Sequence, residues 1–154
     1  MKVIVIDDNN NSQILNRILN EHNTALGGNG MDARVLSSTI KTYRQRFIVA
    51  KNEVYYKLAV NDIAYVCFDG CATRAFTFDK KTFVLNMSLD RLEEELDPKV
   101  FFRTNRQIIV NVDAVDRFEV YFKHRLVVKL VNGLHNKVLI SRAKASSFKD
   151  WMNQ

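Results

Sequence analysis

The sequence contains little of what marks a secreted, disulfide-stapled or membrane-spanning protein. Its two cysteines, Cys67 and Cys71, cannot form a disulfide framework, and its three histidines lie too far from them to match zinc-ligand spacing. No apolar run approaches the ~20 residues that a membrane-spanning helix needs. The first eight residues, MKVIVIDD, end in two acids and lack the cleavage signature of a secretory signal. We therefore expect a cytoplasmic protein with buried or half-buried thiols and no membrane partner.

The signatures of enzyme chemistry are also missing. No His, Cys or Ser lies in a triad-like setting, and the five glycines do not form a phosphate-binding loop. The sequence therefore predicts a protein that is not an enzyme and that uses no cofactor and no small-molecule substrate.

The chain has a formal net charge of +6, and the basic surplus lies in its last third. Residues 1–42 hold four basic and four acidic residues, whereas residues 99–154 hold eleven basic and four acidic ones. Such a surplus favours a polyanionic partner, and nucleic acid ranks ahead of a membrane surface because no basic amphipathic helix stands out. A purely solubilising role for this charge is the alternative.

Residues 2–6, KVIVI, form a β-branched run typical of a strand buried in a parallel sheet. Asp7 and Asp8 follow, and then a helical pattern begins. This order resembles the first β-α unit of a response-regulator receiver domain, in which paired acids at these positions help hold Mg²⁺. The later β-α units, the phosphoacceptor aspartate and the lysine of that family have no counterpart further along the chain. We therefore interpret residues 1–30 as a truncated receiver-like fragment with an incomplete metal site, and residues 31–42 as a linker.

A β-rich pattern begins at Tyr43 and predicts a mainly β domain with one mid-chain helix and a C-terminal helix. Short apolar or alternating segments predict strands over 46–51, 53–60, 63–68, 71–78, 82–86, 108–110, 115–122, 125–131 and 137–141. Ser88 is a candidate N-cap for the first helix, which Pro98 ends at Asp97, and Ser141 is a candidate cap for the last. The predicted apolar helix faces are Leu89, Leu92 and Leu96, and Phe148, Trp151 and Met152.

Five segments carry a more specific resemblance: NDIAYV (61–66), SLDRLEEELDPKVFFRTNR (88–106), IIVNVDAV (108–115), VNG (131–133) and VLISRAKA (138–145). Their order and spacing are similar to those of the LytTR-type DNA-binding domain of bacterial response regulators over residues 43–154. The resemblance implies an elongated, mostly antiparallel β fold whose loops enter successive major grooves. It also implies a sequence-specific, double-stranded-DNA-binding transcriptional regulator of a two-component system, bound to direct repeats as a dimer or as two monomers.

The resemblance assigns DNA contacts first to Thr73 and Arg74, where Arg74 would reach a phosphate or a guanine. An outward-facing residue on an exposed strand is the alternative. The second position is Asn105 and Arg106, and Arg106 can pair with O6 and N7 of guanine. Many members carry His and Ser where this chain has Asn105 and Gln107, so the resemblance extends to the docking mode but does not imply a target sequence. A solvated loop before a strand is the alternative there.

The third position lies at the start of the last helix, where Arg142 and Lys144 stand beside free backbone N–H groups that attract phosphate. Helix capping by Ser141 with solvated charges is the alternative. We expect Arg103 to position a phosphate or to form a surface ion pair. Asn111, inside an apolar strand, is expected to satisfy a nearby backbone group.

Two other functions remain open. A protein-interaction module would pair with a full-length relative through its sheet edges or through residues 2–6. An RNA-binding or single-strand-binding domain would stack bases on aromatic side chains, although the strand spacing of these side chains favours core packing. The aromatic residues concerned are Tyr55, Tyr56, Phe76, Phe78, Phe118, Tyr121 and Phe122.

Overall fold

The computed structural model describes residues 41–135 and 137–154, and Tyr43–Gln154 form one compact unit. The predicted receiver-like strand and helix, with Asp7 and Asp8, lie outside the described residues. Among the helices of the described part, none is long and apolar enough to cross a membrane.

Ten strands and two helices make up the described part of the chain. The strands are β1 (Arg46–Lys51), β2 (Val54–Ala59), β3 (Ile63–Phe68), β4 (Thr73–Thr77), β5 (Thr82–Leu85), β6 (Phe101–Arg103), β7 (Ile108–Asn111), β8 (Val115–Tyr121), β9 (Arg125–Leu130) and β10 (Val138–Ile140). The helices are α1 (Leu89–Glu95) and α2 (Arg142–Met152). The strands pair in antiparallel fashion, so the predicted mainly β class with one mid-chain and one C-terminal helix is confirmed.

A five-stranded sheet of order β5-β4-β3-β7-β6 lies at the centre of the domain. Ile109 of β7 packs in one core, and its neighbours Ile108 and Val110 pack in the other. Successive side chains of a strand point to opposite faces, so this sheet is buried on both sides. Burial on both sides explains why its strands appear in the sequence as continuous apolar runs.

The β1–β2 ribbon and α1 cover one face of the central sheet. Ser88 Oγ accepts a hydrogen bond from the backbone N–H three residues later, at 3.3 Å, which confirms the predicted N-cap. Leu89, Leu92 and Leu96 are buried as predicted, and burying each contributes about 1.5–3 kcal/mol. The helix ends at Glu95, two residues before the predicted end, because Leu96 already has an extended backbone.

A second sheet, of order β10-β9-β8, covers the other face together with α2. Phe148 and Trp151 of α2 are buried as predicted, and Trp151 Nε1 donates to the Pro98 carbonyl at 2.8 Å. Ser141 occupies the predicted N-cap position, but its side chain makes no capping hydrogen bond. The first turn is closed through the backbone instead, where Lys144 N–H donates to the Ser141 carbonyl at 3.0 Å.

Asn111 is a buried polar residue at the end of β7. Its Nδ2 donates to the Ile63 carbonyl at 2.9 Å, and its Oδ1 accepts from the Asp113 N–H at 2.9 Å. Both ends of the amide are therefore paired, which confirms the expected structural role.

The aromatic residues divide into two groups. Phe76, Phe78 and Phe118 pack, as predicted, against the core that lies between the central sheet, the β10-β9-β8 sheet and α2. The structure exposes Tyr55, Tyr56, Tyr121 and Phe122, so the packing prediction is wrong for these four. Tyr55 and Tyr56 lie on the two-stranded β1–β2 ribbon, and the other two lie at the end of the β8–β9 hairpin.

Candidate nucleic-acid interface

The first predicted contact lies at the turn between β3 and β4, which Asp69 organises. Asp69 Oδ1 accepts the backbone N–H groups of Cys71 and Ala72, both at 2.9 Å. Asp69 Oδ2 accepts Arg74 Nε at 2.6 Å. The bond from Arg74, joined by the two backbone N–H groups, holds the pKa of Asp69 well below its ordinary value. Gly70 has φ of 95°, a conformation that glycine adopts readily. The turn is therefore held by its own hydrogen bonds.

The two residues predicted to contact DNA from this turn differ in accessibility. Thr73 is only 6% exposed, whereas the Arg74 side chain is 38% exposed. Among the described residues, none accepts a hydrogen bond from the two terminal nitrogens of Arg74.

The two thiols lie near the same turn. Cys67, opposite Arg74, is half-buried, and burial together with the nearby Asp69 charge raises the pKa of its thiol. Cys71 is exposed on the turn, so the expectation of a covered thiol is wrong there.

The second predicted contact is the loop of residues 104–107, which joins β6 to β7. Thr104 is fully buried, and its N–H and Oγ1 donate to the first carbonyl of β7 at 3.0 and 3.1 Å. Asn105 Oδ1 accepts the Gln107 N–H at 2.8 Å, and Asn105 Nδ2 donates to the Leu139 carbonyl of β10 at 3.0 Å. Asn105 thus fixes the shape of the loop and ties it to the neighbouring sheet.

Arg103 also holds the 104–107 loop in place, through hydrogen bonds to its backbone. Its side chain is 13% exposed and forms ion pairs with Asp90 and Glu93 of α1. Its Nε and Nη2 donate to the carbonyls of Asn105 and Arg106, both at 3.1 Å. Of the two roles expected for Arg103, the ion pair is therefore observed. The Arg106 side chain is exposed, and within the described part of the chain it has no hydrogen-bond or ion-pair partner.

The third predicted contact is the first turn of α2. Lys144 Nζ donates to the Arg103 carbonyl at 2.7 Å and lies 5.9 Å from the centre of the Phe102 ring. Arg142, in contrast, is exposed and pairs with no other described residue. The two cations of this turn therefore have different environments: one is held against β6 and one faces solvent.

The three predicted contacts form one surface. Phe68, at the end of β3, donates its N–H to the Gln107 carbonyl at 2.8 Å, which joins the β3–β4 turn to the second loop. The Asn105 bond to β10 joins that loop to the strand leading into α2. We call the residues 69–74, 104–107 and 141–144 the loop surface. Its accessible cations are Arg74, Arg106 and Arg142.

Sequence reasoning missed Asp69, and it did not identify the partners of Arg103. The Asp-Gly pair at 69–70 signals a turn, and it could have identified Asp69 as the organiser of that turn. No local pattern signals the partners of Arg103, because Asp90 and Glu93 on α1 are brought to it only by the tertiary fold.

The fold and the loop surface define a β-sheet domain that presents cations from the start of a strand, a loop and the first turn of a helix. Residues 53–153 match the family described as the LytTr DNA-binding domain. The chain therefore belongs to the LytTR DNA-binding domain family, as the resemblance predicted.

Similar proteins agree with this assignment. The chain is 25% identical over 117 residues to transcriptional regulatory protein YpdB of Escherichia coli K12, across 76% of this chain and 47% of that protein. It is 28% identical over 95 residues to sensory transduction protein LytT of Enterococcus faecalis, across 62% of this chain and 38% of that protein. The chain thus spans about half or less of the length of these relatives.

A solved structure shares the fold. It is the LytTr DNA-binding domain of a Bacillus cereus response regulator, with a TM-score of 0.63 and 18% sequence identity. The similarity covers 72% of this chain and 99% of that one.

Proposed function

We propose that this chain is a sequence-specific, double-stranded-DNA-binding transcriptional regulator of the response-regulator class, not an enzyme, that acts in the bacterial cytoplasm. The supporting observation is that Arg106 and Arg142 lack side-chain partners among the described residues, while the Asn105 bond ties the loop of Arg106 to the strand that leads into α2. Duplex DNA offers exposed arginines two kinds of partner: phosphates in a regular array and hydrogen-bond acceptors on base edges.

The accessible arginines take the direct contacts in this proposal. Arg106 pairs with guanine in a major groove, a contact worth about 1–3 kcal/mol of discrimination. Arg142 engages the next groove from the N-terminus of α2, where backbone N–H groups favour a phosphate. Arg74 adds a third contact through its terminal nitrogens, with its Nε held by Asp69.

Thr73, Asn105 and Lys144 act in this proposal mainly by positioning the arginines. Asn105 and Lys144 already donate to backbone carbonyls, so using them on DNA would break bonds that shape the loop surface. Thr73 is buried in the strand that carries Arg74.

We further propose that the protein occupies direct repeats, as a homodimer or as two monomers. A direct repeat is met by two copies in the same orientation on one face of the duplex. The centres of the half-sites are then about one helical turn apart, roughly 34–36 Å.

Selection from a pool of random duplexes, at near-physiological salt, tests the proposal. We expect enrichment of a repeated motif, relaxed at one position by Arg106→Ala. The matched control is Lys57→Ala, which removes an exposed cation from the β1–β2 ribbon and should leave the motif unchanged. The proposal fails if no motif emerges and Arg106→Ala binds as the wild type does. Preference for single-stranded DNA or RNA competitors would favour the base-stacking alternative.

A protein-interaction module is the second candidate, and the exposed face of the β1–β2 ribbon favours it. Ile48 and Tyr55 are 67% and 76% exposed, and both lie on the same face because Tyr55 pairs with Ala50, two residues after Ile48. Retained binding to a full-length relative without tight DNA binding, with loss on Tyr55→Ser, would support this candidate.

A further inference from the structure

The β8–β9 hairpin ends in a short segment that is both apolar and basic. Residues 120–125, here called the hairpin tip, are all exposed, with Val120 and Phe122 at 70% and 71%. The tip consists of Val120, Tyr121, Phe122, Lys123, His124 and Arg125. Val120, Tyr121 and Phe122 are consecutive and all exposed, and contiguous exposed apolar groups rimmed by polar residues mark interaction sites.

The hairpin tip lies beside the loop surface. Ile140 of β10 pairs with Leu126 of β9, so Arg125 and Ser141 are the next residues on the two neighbouring strands. The turn of the tip also contacts α2. Four segments are therefore neighbours in this order: the β3–β4 turn, the 104–107 loop, the start of α2 and the hairpin tip.

The turn at the end of the hairpin holds two consecutive non-glycine residues at positive φ. Tyr121 pairs with Arg125, so Phe122, Lys123 and His124 connect the two strands. Lys123 and His124 have φ of 58° and 59°, a left-handed conformation that glycine adopts most readily. Side chains with a Cβ disfavour this conformation. The chain thus keeps two long polar side chains at a position where their backbone cost is high, which directs attention to what they contact.

The charge of the hairpin tip has one sign. Residues 120–125 contain no acid, and the preceding Glu119 is occupied by Lys129 at 3.3 Å and Arg117 at 3.4 Å. Lys123 Nζ lies 5.4 Å from the centre of the Phe122 ring, so a cation and an aromatic face are presented together.

We propose that the hairpin tip is a further DNA contact, entering the minor groove that flanks the major groove engaged by Arg142. Phe122 packs against sugar and base edges, and Lys123 and Arg125 pair with phosphates on either side. Proteins that read the minor groove combine cations with apolar wedges of this kind. The minor groove is only about 6 Å wide, so the tip side chains enter it rather than the two-stranded ribbon itself. This inference rests on the proposed function.

Two other occupants fit the observations less well. A membrane surface would attract the same residues, but the adjoining loop surface is cationic without being apolar. A second copy of the chain would place like charges together, and three apolar side chains fall short of the roughly 800 Å² per partner of a standard interface.

The test compares two duplex probes. One is the motif obtained by selection, trimmed at its edges, and the other carries about half a helical turn of extra duplex on each side. Phe122→Ala and the double variant Lys123→Gln/Arg125→Gln are measured by fluorescence anisotropy across a salt series. The matched controls are Tyr55→Ala and Lys57→Gln, an exposed aromatic and an exposed cation of the β1–β2 ribbon.

We expect Phe122→Ala to weaken binding of the longer probe about tenfold with an unchanged salt slope. The double variant should lower the slope of log affinity against log salt by about 2, because two phosphate contacts are lost. Neither change should affect the trimmed probe, and the controls should match the wild type on both.

Wild-type affinity of both tip variants for the longer probe would overturn the inference while leaving the proposed function intact. Failure of the wild type to select any duplex would overturn both. Loss of binding to phosphatidylglycerol vesicles, or of self-association in sedimentation equilibrium, with unchanged DNA affinity would assign the tip to a membrane or to a second copy and would also overturn the inference.

Discussion

Lys144 donates a hydrogen bond from Nζ to the backbone carbonyl of Arg103, at 2.7 Å, and so fastens the first turn of α2 to the end of β6. Arg103 in turn holds the carbonyls of Asn105 and Arg106. Two cations that composition alone would assign to phosphate binding therefore serve to place other cations. Lys144 and Arg103, both partly buried, thus support the segments that carry the accessible arginines of the loop surface.

Comparing Lys144→Met with Lys149→Met should separate the structural bond of Lys144 from its charge. Met keeps the apolar stem over Phe102 but cannot donate to the Arg103 carbonyl. We expect unfolding to become easier by about 1 kcal/mol, measured by urea denaturation. Lys149→Met, an exposed lysine of the same helix, is the control and should change stability little. Equal losses in the two variants would mean that the bond to Arg103 contributes nothing specific.

Asn105→Ala distinguishes positioning from base reading. The change leaves the Gln107 N–H and the Leu139 carbonyl without their partner, so the loop loosens and affinity should fall about equally for all sequences. Selection from random duplexes should return the wild-type motif with weaker enrichment. Gln107→Ala, which removes only an exposed side chain, is the control. A motif altered at a single position would show instead that Asn105 contacts a base directly.

Asn111→Ala should be among the more destabilising single changes at a polar residue. Asn111 is 2% exposed, and its loss strands the Ile63 carbonyl and the Asp113 N–H. We expect a loss of about 1–3 kcal/mol in the free energy of unfolding by chemical denaturation. Asp113→Ala changes the adjacent exposed side chain and serves as the comparison. A neutral Asn111→Ala would mean that water replaces both bonds.

Asp69→Asn tests the charge that fixes the β3–β4 turn. Hydrogen bonding from Arg74 lowers the pKa of Asp69 in the folded state below the ordinary 3.8 expected when unfolded. A carboxylate of this kind stabilises the fold above about pH 4, and its contribution is lost as the pH falls through the folded pKa. The urea midpoints of wild type and Asp69→Asn should therefore differ most near neutrality and converge below pH 4. A gap that stays constant with pH would place the effect elsewhere.

Much of the fold follows from the sequence because its strands carry strong local signals. The apolar runs of β3 and β7 and the turn residues between strands identified these elements nearly to their ends. β6 was missed because three residues, Phe101–Arg103, show no period of their own and form a strand only by pairing with β7. The helix α1 ends before its predicted end because the backbone of Leu96 is already extended, although its side chain is still buried in the core.

The candidate site was predictable by residue type more than by role. Arg106 and Arg142 could be chosen because their side chains suit DNA and their positions follow the family pattern. The bonds of Asn105 to Leu139 and of Lys144 to Arg103 span 34 and 41 residues, so no local pattern contains them. Strand periodicity likewise could not reveal that Phe122, at the turn of its hairpin, is exposed.

The central sheet has a consequence for cooperativity. Ile109 belongs to one core and Ile108 and Val110 to the other, so β7 cannot lose its packing on one side without weakening the other. The two halves of this unit should therefore melt as one. A ligand that binds the loop before β7 would therefore also slow the fraying of α1 and the β1–β2 ribbon, which pack on the sheet through the same strand. Binding at that loop would be detectable as increased protection anywhere in the unit.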